Sequence, residues 1–178
     1  MRNLSLRFVT LLLAGLLAGA VGLGWLLNRI VDDAPLYVAY KQVEIPALTA
    51  TLVPLGLVTM VLALLQAYLD RKRRPGLWLT LAATLGLLAM GLLTRFALFP
   101  INDQIMTWSA QAPPDDWHVL REQWNAAHSL RTAAGLASFV LLLLAALVPE
   151  QERAAVRQGE RIAIGQRQPD ERTNASIS

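Results

Sequence analysis

Cysteine is absent from the 178 residues, which excludes disulfides, thiolate metal ligands and Cys nucleophiles. Histidine is nearly absent. Only His118 and His128 occur, neither with a carboxylate at metal-ligand spacing, so no metal site and no metal cofactor are expected. There is no glycine-rich phosphate loop and no basic stripe of the kind that holds nucleic acid. Charge is scarce too. Charged residues make up 16% of the chain, against roughly 25% in a soluble domain, and they sit in short stretches between long uncharged runs. A bilayer imposes that pattern, because a charge at its centre costs about 2.5–3.5 kcal/mol on insertion scales.

What fills the chain instead is apolar. Four runs, at about 8–27, 45–69, 77–99 and 129–148, approach or exceed the roughly 20 residues that cross a bilayer. Ala18-Gly19-Ala20 fits a signal-cleavage site, but the first run continues beyond it, so the run reads as an uncleaved helix. Gly15, Gly19 and Gly22 fall at helical spacing and suggest close packing on another helix, in this chain or in a second copy. Between the first two runs, residues 28–44 turn polar and read as an interfacial connection. Pro46 suits a helix start and Pro54 predicts a kink. Arg71-Lys72-Arg73-Arg74-Pro75-Gly76 reads as a tight cationic turn, and the third run stops at Pro100.

From Asp115 to Val148 the only breaker is Gly135, a tolerable one, which predicts a single helix of about 34 residues. Its first half is amphipathic and its second half apolar, so it extends beyond the membrane on the outer side. The expected fold is therefore an all-α, integral membrane four-helix bundle over residues 1–165, with a disordered cytoplasmic tail at 166–178. The two flanks of the bundle differ in charge. The N-terminus, the Arg71–Arg74 turn and the tail hold eleven of the sixteen Lys and Arg residues, which places both termini in the cytoplasm and the chain in the cell (inner) membrane. Asn174-Ala175-Ser176 matches a glycosylation sequon but falls in that cytoplasmic tail and reads as chance.

The chemistry-bearing residues converge on the outer ends of the third and fourth spans. Trp117, Arg121, Trp124, His128 and Arg131 are spaced 4, 3, 4 and 3 apart, a single stripe about 80° wide on a helix. Gly135 and Ser138 continue it. Interfacial belt and snorkel roles account equally well for Trp117 and Arg121. Arg95 lies inside the third run and has either to snorkel or to find a partner, for which Asp103 or Glu122 serves. Asn102 either caps the turn after Pro100 or offers its amide to a ligand. Ser129 points about 100° away from His128, which argues against a Ser–His pair.

Pro100-Ile101-Asn102, Trp117, and Trp124-x-x-x-His128-x-x-Arg131-Thr132 together resemble the anthrone oxygenase-like family of small four-helix membrane proteins. The layout matches over the whole hydrophobic chain, the motifs over about Pro100 to Thr132. The resemblance implies oxidation of an anthrone or hydroquinone to a quinone with no cofactor, neither metal nor flavin. On that reading His128 is the base, Arg131 holds the anionic oxygen with Arg95 in support, Trp124 stacks on the ring and Asn102 fixes a carbonyl. Arg121, Trp117 and Asp103 complete the candidate substrate-binding set. The alternative is a non-catalytic protein that binds a lipid or quinone, or acts as a partner subunit, through the same stripe. A cavity lined jointly by His128, Arg131 and Asn102 favours the enzyme; a His128 sealed by packing favours the alternative.

Overall fold

The computed structural model describes residues 2–71 and 74–147. Among these, four helices are long and apolar enough to cross a membrane, at Leu4–Ile30, Ala34–Leu69, Pro75–Met106 and Trp117–Leu147. The chain is thus an all-α, multi-pass membrane protein. Lys72 and Arg73 of the cationic turn, Val148 at the end of the fourth run, the tail at 166–178 and its sequon lie outside the described residues.

α1 (Arg2–Ile30) leads through three residues into α2 (Ala34–Leu69), a helix of 36 residues. The polar stretch read from sequence as a connection is therefore mostly helix. Its start signal is Asp33 with Pro35. Asp33 is extended at φ −107°, ψ 126°, its carboxylate accepts the Leu36 N–H at 2.9 Å, and the proline sits in the first turn, where its missing N–H costs nothing. Pro46 is consequently not a helix start. It lies inside α2 with Pro54.

α3 (Arg74–Leu93) likewise does not stop at Pro100. It passes through a π-helical turn, Thr94–Leu98, into α4 (Phe99–Met106). The Phe99 N–H reaches back five residues to the Thr94 carbonyl. This wider turn lets Pro100, which has no N–H, enter at the start of a new helical segment without ending the span. A short loop, pinned where Gln42 Nε2 donates to the Trp108 carbonyl at 2.7 Å, leads to α5 (Trp117–Leu147).

The middle of the bundle is apolar and closely packed. Ala14, Leu17, Val21, Ala63, Ala83, Leu87, Met90 and Leu142 form its buried core. α3 packs tightly on α5: a methyl group added at Gly86 would collide with the Ser138 hydroxyl and lie 3.3 Å from the Ala134 carbonyl. Gly135 faces Met90 in the same seam. Of Gly15, Gly19 and Gly22 in α1, only Gly15 is closely covered, by the Phe139 ring. Gly19 and Gly22 have nothing within 4 Å of an added Cβ, so the α1 glycines are not a continuous intrachain seam.

α1 and α5 run antiparallel and are joined by a ladder of polar contacts. Arg121 pairs with Asp32 at 2.8 Å, Asn28 donates to Asn125 at 2.6 Å, Trp25 Nε1 donates to Ser129 at 2.7 Å, and His128 meets the Val21 carbonyl at 2.9 Å. Residues 21, 25, 28 and 32 recur at steps of four, three and four, and on α5 Arg121, Asn125 and Ser129 recur every four residues, with His128 beside Ser129. The ladder sets the depth at which α5 places its aromatic and cationic residues.

Candidate functional site

Four elements deliver side chains to one end of the bundle. The α5 stripe brings Trp124 and His128, both buried, and a half-buried Arg131. The Trp124 and His128 rings stack at 4.2 Å with a 24° tilt. Trp124 Nε1 donates to Asn102 Oδ1 at 2.9 Å, which carries the stack over to α4. Arg131 donates to His128 Nδ1 at 2.8 Å and stands 3.5 Å from the Thr94 hydroxyl in the π turn.

These contacts define the state of the imidazole. The Val21 carbonyl only accepts, so His128 Nε2 carries the proton. A guanidinium only donates, so Nδ1 offers its lone pair to Arg131. Both nitrogens are engaged. The ring therefore holds Arg131 in place, and no lone pair is left for use as a base, the role that the family resemblance implies for it.

α2 contributes the groups that the sequence reading missed. Lys41 is fully buried, with its ammonium 3.5 Å from the Trp124 ring centroid and 2.6 Å from Glu44 Oε2. Tyr40 donates to Glu44 Oε1 at 2.9 Å. A signal for them existed: Tyr37, Lys41, Glu44 and Leu48 are spaced 4, 3 and 4 apart, the same helical step as the α5 stripe. It went unseen because the segment was read as a connection.

A cavity of about 50 Å³ lies among these side chains, lined by Glu44, Thr94, Asn102, Trp124, His128 and Arg131. That volume has room for a water or a dioxygen molecule. A second, apolar cleft of about 300 Å³ between α2 and α3 lies beside it and shares Leu52, Val53, Thr94 and Phe99 in its lining. Both of the opposed features anticipated above are thus present: a shared cavity, and a His128 that is only 1% exposed.

The other sequence candidates stand apart from the cavity. Arg121 binds Asp32 and lies near the last carbonyls of α1, a favourable place for a cation. Trp117 packs on Tyr37 at 5.3 Å and beneath Arg121. Arg95 is exposed and borders only the apolar cleft. It makes no ion pair with Asp103 or Glu122, and Asp103 is exposed. An exposed guanidinium on its long flexible stem reaches polar surroundings without a carboxylate.

With Lys41 and Arg131 cationic, Glu44 anionic and His128 neutral, the cluster carries one net positive charge. It suits an anion better than a metal cation. The molecule is by class a four-span membrane bundle with a cationic, aromatic-lined site at one end. A family model described as anthrone oxygenase matches residues 46–141, more than half of the chain, and the protein belongs to that family. No curated protein and no solved structure matches it. The matched stretch includes Thr94, Asn102, Trp124, His128 and Arg131, and begins just after Lys41 and Glu44.

Proposed function

We propose that the protein catalyses oxidation by dioxygen of a lipophilic anthrone- or hydroquinone-like aromatic at the outer end of its bundle, without a metal or flavin. The observation that carries this reading is the adjacency of the two cavities, which share Leu52, Val53, Thr94 and Phe99 as a common wall. The apolar cleft between α2 and α3 suits fused rings or an alkyl tail arriving from the lipid. The small polar chamber beside it offers Arg131, Trp124 and Asn102 to the oxygenated edge of the ring. Anthrones ionise to delocalised anions that transfer an electron to dioxygen unaided, so a protein has to promote ionisation, hold the anion and exclude water. Arg131 is the anion holder, and His128 fixes its direction. Asn102, already accepting from Trp124, presents its amide N–H groups to a carbonyl. Arg95 lies along the entry cleft, and Trp117, Arg121 and Asp103 frame the site without reaching the ring.

The cation asymmetry of the sequence supports placing both termini in the cytoplasm and this site on the outer face of the cell membrane. Gly19 and Gly22, open along α1, leave a face for lipid or for a second copy.

Oxygen uptake by detergent-purified, chelator-treated protein, measured with anthrones and hydroquinones, tests the reading. Uptake above the uncatalysed rate that is lost in His128→Ala is the expected outcome. No acceleration with any substrate sinks it. A second reading, a quinone- or lipid-binding protein without turnover, draws on the sealed His128 and the small volume of the chamber. It predicts quenching of tryptophan fluorescence by quinones with no uptake.

A further inference from the structure

The oxygenase reading needs a group that takes a proton from the substrate, and the side chains around the chamber differ sharply in their ability to do so. His128 has both nitrogens committed, to Val21 and to Arg131. Lys41 and Arg131 are donors only. The Asn102 carbonyl accepts from Trp124, and an amide is too weak a base in any case. The Thr94 hydroxyl donates to the Met90 carbonyl at 2.8 Å. Glu44 remains. A carboxylate has about four lone-pair sites, and Glu44 uses one on each oxygen, for Tyr40 and for Lys41.

The carboxylate is also held still and left room. Tyr40 and Lys41 grip it from within its own helix, and Lys41 is fixed in turn over the Trp124 ring. On the α1 side Gly24 presents only backbone. A Cβ there would lie 3.6 Å from Glu44 Oε1 and 3.7 Å from His128 Cε1, so position 24 puts no side chain against the carboxylate and the imidazole.

We propose that Glu44 is the proton acceptor of the reaction, with Tyr40 and Lys41 as its positioning residues. This rests on the oxygenase reading above. Glu44 takes a proton from the acidic ring C–H of an anthrone. The electron pair of that bond moves into the ring carbonyl, whose oxygen becomes the anion at Arg131. The anion passes one electron to dioxygen, and the two radicals join as a peroxide at the same carbon. Glu44 returns its proton to the outer peroxide oxygen, then removes the second C–H proton as the O–O bond breaks. The departing hydroxide takes that proton from Glu44. One anthrone and one dioxygen give one quinone and one water.

The test uses the full chain in micelles, with anthrone and its ring-position dideutero form as substrates. Glu44→Gln lowers turnover by about 10²–10⁴-fold, the usual worth of a general base, while a quinone quenches tryptophan fluorescence with affinity close to that of the wild type. Glu44→Asp keeps a charge opposite Lys41, guarding against a variant that fails to fold. It shortens the reach by one methylene and shows reduced turnover with a larger deuterium isotope effect. Acetate restores turnover to Glu44→Ala in proportion to its concentration. Wild-type turnover in both Glu44→Gln and Glu44→Asp overturns the assignment and leaves the oxygenase reading standing. So does a loss of quinone binding that matches the loss of rate. A wild-type protein that does not accelerate the reaction overturns both.

Discussion

Two buried ion pairs sit at opposite ends of the bundle, and they serve different ends. Arg7 meets Asp70 at 2.5 Å, linking the start of α1 to the cap of α2 across 63 residues. Lys41 meets Glu44 at 2.6 Å within a single helix. The first is a clasp: it fixes two elements against each other, and its carboxylate also belongs to the residue that closes α2. The second ties no two helices together. Its ammonium lies against the Trp124 ring and its carboxylate lines the chamber. Charge that costs so much to bury in an apolar setting is spent on tertiary closure at one end, and on what faces the cavity at the other.

The contrast is open to experiment. The largest expected effect is at the clasp. Asp70→Ala strands a mostly buried guanidinium and should cost about 3–5 kcal/mol of stability, read as a lower melting temperature in micelles with turnover per folded molecule unchanged. If turnover falls instead, the two ends are not independent. Next is Arg131→Met, which keeps bulk and removes the charge. A drop of about 10²–10³-fold in kcat/KM with a smaller stability loss than at Asp70 is expected; equal losses in both would merge the two ends.

Gly86→Ala tests the seam between them. Overpacking against Ser138 and Ala134 should destabilise by about 1–3 kcal/mol without altering the affinity for a quinone in the folded fraction. The smallest effect is at Asn102→Ala, which leaves the Trp124 indole N–H without its acceptor. About 0.5–1.5 kcal/mol is expected, visible as a weaker quinone quench and a raised KM at nearly constant kcat. A change in kcat as large as that of Arg131→Met would put Asn102 in the chemistry itself.

Much of this architecture is legible in the chain because the bilayer reads composition directly. Runs without charge must be helices that satisfy their own backbone, so the four spans follow from residue types and run length. The α5 stripe follows from its 4, 3, 4, 3 spacing, and that periodicity brings Trp124, His128 and Arg131 together in the structure. Misreadings gather where a local signal has two physical meanings. A proline starts a helix, bends one or ends one according to whether its neighbours supply lost hydrogen bonds, and so Pro46 and Pro100 proved interior to longer spans. Polar residues 34–44 resemble a loop by composition, yet they form a helix whose charged face is shielded by α5.

The sequence alone determined that this is a four-span membrane protein, and which residues of its last helix share a face, since run length and helical period are properties of the chain itself. Only the tertiary structure decided what those residues meet. Neither the occupation of both His128 nitrogens nor the burial of Lys41 under Trp124 follows from any local pattern. Nor does the free acceptor capacity of Glu44 beside the cavity. Each depends on the depth at which α1, α2 and α5 are set against one another, and contacts between helices, distant in the chain, fix that depth.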